Sequence, residues 1–184
     1  MNRYLLAVAS IAALLLVSSA RADAQEFSAK FSGFNEIGGL GAGETGAILS
    51  DGQGTLTLDL NRAAKTLTYT LTYSGLSSNV FVAHIHFGKV HVAGNVIVFL
   101  CGGGGKPACP NNPAGTGTVT GTILPADVVG LAAAQGIAAG DFDGLEDALT
   151  SNTAYGNIHT TNFKAGEIRG QIQLDRGVPF GFGF

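Results

Sequence analysis

Two stretches of this chain, Thr55-Leu56-Thr57-Leu58-Asp59-Leu60 and Thr66-Leu67-Thr68-Tyr69-Thr70-Leu71-Thr72-Tyr73, alternate apolar and polar residues with a strict period of two. Strand side chains alternate between faces, so this period puts leucines and tyrosines on one side and threonines with Asp59 on the other. The intervening Asn61-Arg62-Ala63-Ala64-Lys65 has a hairpin's length, and the two strands are expected to pair antiparallel. Twenty-eight glycines, many threonines and no tryptophan extend that reading to the whole chain: a turn-rich, all-β protein. At 184 residues, 46% of them hydrophobic, there is material for one domain with a proper core and too little for two.

Other segments fit the same frame. Phe27, Ala29 and Phe31 alternate with Ser28, Lys30 and Ser32 as a first strand, followed by a glycine-rich connection over 33–46. Asn95 to Leu100 is almost wholly apolar, as in a strand covered on both sides, and Thr116 to Leu124 alternates again. Tyr155 to Thr161 and Glu167 to Leu174 form a last pair of strands. Helix is confined to short insertions: a turn beginning at Pro125, and a segment behind Asp141 as N-cap that puts Phe142, Leu145 and Leu149 on one face. Its acidic residues read as the wet side of that helix.

Residues 1–24 have the form of a signal peptide, with Arg3, an apolar run from Leu5 to Val17, and small residues at Ala22-Asp23-Ala24. The run is too short to span a bilayer. Cleavage after Ala24 is favoured over cleavage after Ala22, which leaves a domain over 25–176 and a loose tail over 177–184. A periplasmic or secreted protein is therefore expected, with no transmembrane segment in the mature chain. In such a compartment Cys101 and Cys109 are expected to close a loop as a disulfide, and their spacing is not that of a Cys-x-x-Cys redox pair. Gly105-Lys106 between them is no phosphate loop, because Leu100 and Pro107 stand where glycine and Ser or Thr are required. The net charge of −3 and the lack of any basic run exclude a nucleic-acid partner.

The chemistry-bearing stretch is Val80-Phe81-Val82-Ala83-His84-Ile85-His86-Phe87. On a strand, His84 and His86 point the same way with Cβ atoms about 6.6 Å apart, within reach of one metal ion or one shared polar ligand. Phe81, Ala83, Ile85 and Phe87 are expected on the opposite, apolar face. His159 is the third candidate ligand and His91 the fourth; such a set suits copper or zinc and leaves an open position. The competing reading is a polar cluster hydrogen-bonded to backbone and neighbouring hydroxyls. Asn157 and His159 share one strand face and Glu167, Arg169 and Gln171 another, so Asn157, Glu167 and Arg169 are candidate ligand-binding residues, with His159 and Arg169 neighbours across a hairpin. Alternatively, Arg169 pairs with Glu167 or another carboxylate.

Several spaced motifs occur in order: Ser32-Gly33-Phe34-Asn35-Glu36, Leu67 with Tyr69, Ser74-Gly75-Leu76, Ala83-His84-Ile85-His86, Asn157-Ile158-His159-Thr160 and Gly166-Glu167-Ile168-Arg169-Gly170-Gln171. Together they resemble the CHRD (chordin) domain family over about residues 26–174. The resemblance implies an immunoglobulin-like antiparallel β-sandwich or barrel in a stand-alone, exported bacterial member. It implies no reaction, and no nucleophile–base–acid set stands at a recognisable spacing. A non-enzymatic module binding a protein or small ligand is expected first, and a periplasmic copper- or zinc-binding protein, with or without redox work, second. A weaker likeness, to copper–zinc superoxide dismutases, rests on His84, His86, His159 and Arg169, but the zinc loop of those enzymes is missing.

Overall fold

In the computed structural model, which describes residues 24–37 and 46–175, nine strands form one antiparallel sheet. They are β1 (Ala24–Ser32), β2 (Gln53–Asn61), β3 (Thr66–Ser74), β4 (Val80–Phe87), β5 (Asn95–Cys101), β6 (Gly117–Ile123), β7 (Ala154–Thr160), β8 (Ile168–Gln171) and β9 (Gln173–Leu174). Their order is β5-β4-β7-β8-β1-β2-β3-β6, with β9 added against β1. The sheet curls into a nearly closed barrel, as an all-β chain must to hide an apolar face without a second layer. The expected leader, apart from Ala24, and the expected tail lie outside the described residues, as does most of the glycine-rich connection. Among the described residues no helix is long and apolar enough to cross a membrane.

The β2–β3 hairpin forms in the register that its alternation requires: Leu56 opposite Leu71, Leu58 opposite Tyr69 and Leu60 opposite Leu67. All six are buried, and β6 extends the same wall through Leu71 opposite Val119 and Leu67 opposite Ile123. Two tyrosine hydroxyls cross the interior. That of Tyr69 donates to the Leu100 carbonyl at 2.7 Å and that of Tyr73 to the Pro110 carbonyl, tying β3 to β5 and to the chain beyond it. Cys101 and Cys109 are joined, with α-carbons 5.0 Å apart. Gly102 starts the disulfide loop at φ +76, and a β-carbon there would stand 1.9 Å from the Phe81 carbonyl oxygen, so only glycine fits this approach.

On the other side of the barrel Gly156 of β7 faces Gly170 of β8. The Phe31 ring fills the space that a side chain at Gly156 would occupy, and the Lys30 carbonyl with the edge of that ring fills the space at Gly170. Two 3-10 segments, Pro125–Asp127 and Gly130–Gln135, precede the one α-helix among the described residues, α1 (Phe142–Thr150). The second was not legible in the sequence; it packs on β5 and covers it. Asp141 caps α1 by accepting from the Gly144 amide at 2.9 Å, and Phe142, Leu145, Ala148 and Leu149 are buried. Its acidic face is more than a wet side, since Glu146 pairs with Arg62 and Asp143 with Lys65 of the β2–β3 turn.

One expectation for β4 fails. A register shift between Val80 and Val82 opposite β7 leaves Phe81 as an extra residue, so Val80 turns into the core and Phe81 turns out, 43% exposed. A bulge reverses alternation on one side of itself, which period-two counting cannot anticipate. Ala83 and Ile85 do face the core, and Phe87 packs against it.

Candidate metal centre

Past the bulge, β4 and β7 pair Val82 with His159, His84 with Asn157 and His86 with Tyr155; β8 adds Arg169 opposite Asn157 and Gln171 opposite Tyr155. Paired strand residues share a face, so these side chains form one patch on the outer side of the sheet. That patch is not wet. His84, Asn157, His159 and Arg169 are buried, and all seven residues of β7 are buried on both faces.

The strands bring His84, His86 and His159 together, with ligand atoms all within 4.8 Å of one another. Ring centroids of His84 and His86 are 4.4 Å apart, and those of His84 and His159 4.6 Å apart. His86 Nδ1 lies 2.8 Å from the Gly94 carbonyl oxygen and His159 Nδ1 2.8 Å from that of Lys164. A carbonyl can only accept, so each Nδ1 carries the hydrogen and each Nε2 keeps a bare lone pair in the neutral ring. Those two Nε2 atoms, and Nδ1 of His84, are buried without any hydrogen-bond partner. Burial, with the other two imidazoles adding to it, lowers the pKa of His84 to about 2. Burial likewise brings His86 to about 4, against the opposing hydrogen bond to Gly94, and lowers His159. His86 and His159 thus turn bare ring nitrogens toward a third neutral imidazole, that of His84.

Aromatic side chains wall the site. Phe99 lies edge-on to His84 at 5.5 Å, and the displaced Phe81 stands 6.0 Å from His159. Tyr155 stacks on His86 at 4.6 Å with ring planes 4° apart, and Arg169 Cζ sits 3.4 Å from the Tyr155 ring centroid. Arg169 Nη2 donates to the carbonyls of Lys89 and Val92, clamping the β4–β5 loop over the patch.

The remaining candidates separate. His91, at φ +61 in that loop, lies apart from the other three and lines a cavity of about 150 Å³ with Asn35, Val90, Arg169, Gln171 and Gln173. Arg169 faces Asn157 rather than His159, and it does not pair with Glu167. The Glu167 carboxylate accepts instead from Ser50, Thr160 and both the amide and hydroxyl of Ser77. Burial pushes its pKa up, but those hydrogen bonds outweigh burial and hold it below the usual carboxylate range. Asn157 donates to Glu36, a buried carboxylate on the same side of the barrel. Sequence reading overlooked Tyr155 and Glu36 as parts of the site. Tyr155 carried a signal, since it shares the strand parity of Asn157 and His159; Glu36 sits outside any strand and was marked only by its place in the Ser32–Glu36 motif.

A comparison with family models matches the CHRD domain over residues 27–172. Neither the curated proteins nor the solved structures give a match. The matched span runs from Phe27, the first buried residue of β1, to Ile172, the last core isoleucine, and contains most of β1, all of β2 to β8 and all three converging histidines; the chain belongs to the CHRD domain family.

Proposed function

We propose that this CHRD domain is a binding module whose ligand is a transition-metal ion, copper or zinc, held by Nδ1 of His84 and Nε2 of His86 and His159. The observation that carries the reading is the set of three buried, unpartnered nitrogens on rings that are neutral at ordinary pH. An unsatisfied buried polar atom costs about 1–3 kcal/mol, so three in one place are a burden that a bound ion would remove. Metals bind unprotonated imidazole, and here burial rather than high pH provides it. The carbonyls of Gly94 and Lys164 would act as the outer partners that fix the ligand rings.

The proposed setting is outside the cytoplasm, periplasmic or secreted. The leader-like residues 1–24 and the Cys101–Cys109 disulfide support it. Copper and zinc titration of the mature protein beside the His84→Ala/His86→Ala variant tests the function. One equivalent should be retained by the wild type and lost by the variant; equal, weak uptake by both rejects the reading. Mass spectrometry of the exported form should find Gln25 at the terminus, and an intact Met1 would reject the setting.

A further inference from the structure

The three-histidine reading leaves the identity of the ion open, and the surroundings of the triad restrict it. We propose that the site is built for a monovalent ion, copper(I), and that Arg169, one aromatic ring away from His86, is the residue that disfavours divalent ions.

Three observations carry this. First, the converging set among the described residues consists of three histidines with no carboxylate or thiolate among them, so a bound ion keeps its full charge. The cost of taking an ion out of water rises with the square of that charge, and a dication in this setting is penalised far more than a monocation. Second, the fixed charge next to the triad has the wrong sign for a dication. Arg169 is 2% exposed, lies over Tyr155, and through that ring faces His86, on which its positive charge acts. The Glu36 carboxylate accepts from Asn157 and from the Ile37 amide, and it acts on Arg169 and Tyr155. Third, Phe81, Phe99 and Val82, the last beside His159 in the register, border the triad with apolar surface. Zinc ordinarily completes four-coordination with water or an anionic ligand. Copper(I), with a filled d shell, is content with three nitrogens in a dry pocket.

The proposal rests on the three-histidine site, and its test is arranged to tell the two apart. Mature protein is titrated anaerobically with copper(I) against bicinchoninate, and separately with zinc(II) and copper(II) against chromophoric chelators. Copper(I) is expected to bind at least tenfold more tightly than either divalent ion. In Arg169→Met that preference should narrow, whereas Arg169→Lys, which keeps the charge, should preserve it. Divalent binding as tight as that of copper(I) in the wild type overturns the inference and leaves the metal site standing; failure to retain any of the three ions overturns the site itself. Because Arg169 also anchors the β4–β5 loop, each variant is first checked for its native circular-dichroism spectrum. If a variant does not fold, the wild-type ratio decides alone, and an unchanged ratio in a folded Arg169→Met removes the role assigned to Arg169.

Discussion

The wall made by β2, β3 and β6 and the wall made by β4, β7 and β8 belong to one sheet, yet they solve opposite problems. In the first, leucines and tyrosines point inward and the outer face is a ladder of threonines, Thr57 beside Thr70 and Thr70 beside Thr120, standing in water. Its stability comes from apolar area removed from solvent, and its polar groups cost nothing because they were never buried. In the second, β7 is buried on both faces, and the outer face of the wall carries three histidines, an asparagine, a tyrosine and an arginine. Half of that patch is reconciled by loop carbonyls at Gly94, Lys164, Lys89 and Val92; the ring nitrogens left over are the site. A sheet that covers its polar face and leaves some of its atoms unmatched has given up stability for chemistry.

The largest effect expected from substitution lies at the edge of the second wall. Glu167→Ala would take the acceptor from four donors of Ser50, Ser77 and Thr160, the last of them fully buried, and should destabilise the protein on the order of 4 kcal/mol, since hydrogen bonds to a charged group are worth about 1.5–3 kcal/mol each. Urea denaturation of the metal-free protein measures it, and a loss below 1 kcal/mol would mean that this carboxylate is not what holds the strand ends together. In the first wall Leu58→Ala should cost about 3 kcal/mol as a cavity-forming change in a fully buried position. The same variant should leave metal affinity unchanged; a tenfold change would show that the two walls are not independent.

Between pH 7 and pH 5 acid should act chiefly on the second wall. His84, His86 and His159 have lower pKa values folded than the roughly 6.5 of the unfolded chain. Between that value and about 4 for His86, or about 2 for His84, the unfolded chain therefore binds more protons. Their contribution is complete above pH 6.5 and is lost as pH falls, by about 1.4 kcal/mol per pH unit for each ring kept neutral. Denaturation midpoints of the metal-free protein at pH 7, 6 and 5 should fall accordingly, and flatten in His84→Leu/His86→Leu. Constant midpoints across that range would contradict the burial of the rings. The smallest effect is expected from His84→Leu alone: stability at pH 7 within about 1 kcal/mol of wild type or above it, because an apolar side chain replaces one with an orphaned nitrogen. A loss of several kcal/mol would show that the ring has a structural partner.

The two walls also differed in how far the sequence revealed them. Period two in β2 and β3 reflects a face in oil and a face in water, and it is written into every residue of both strands. β7 is buried on both faces, so its burial leaves no alternation to read, and polar residues there mimic a wet side. His84 and His86 announced a common direction through strand geometry alone. Their meeting with His159 depends on β4 lying beside β7, a pairing of strands far apart in the chain, with His84 opposite Asn157, which only the ordered family motifs suggested. Phe81 was misplaced because a bulge is a property of two strands rather than one. His91 was grouped with the others by residue type, yet the positive φ of its loop carries it to a separate cavity.

The carbonyls of Gly94 and Lys164 hold the His86 and His159 rings in one tautomer, and neither carbonyl belongs to the strand that bears the ring it holds. Readiness for an ion is thus stored in two loops, not in the barrel wall. Thermodynamic coupling runs both ways. Whatever loosens those loops loosens the grip on the ion, and an ion in place should slow amide hydrogen exchange along 88–94 and around Lys164 while leaving the threonine wall untouched. The protein would then announce its loaded state on its surface, at the loop tips where Val90 and Val92 stand exposed, without any rearrangement of the sheet beneath.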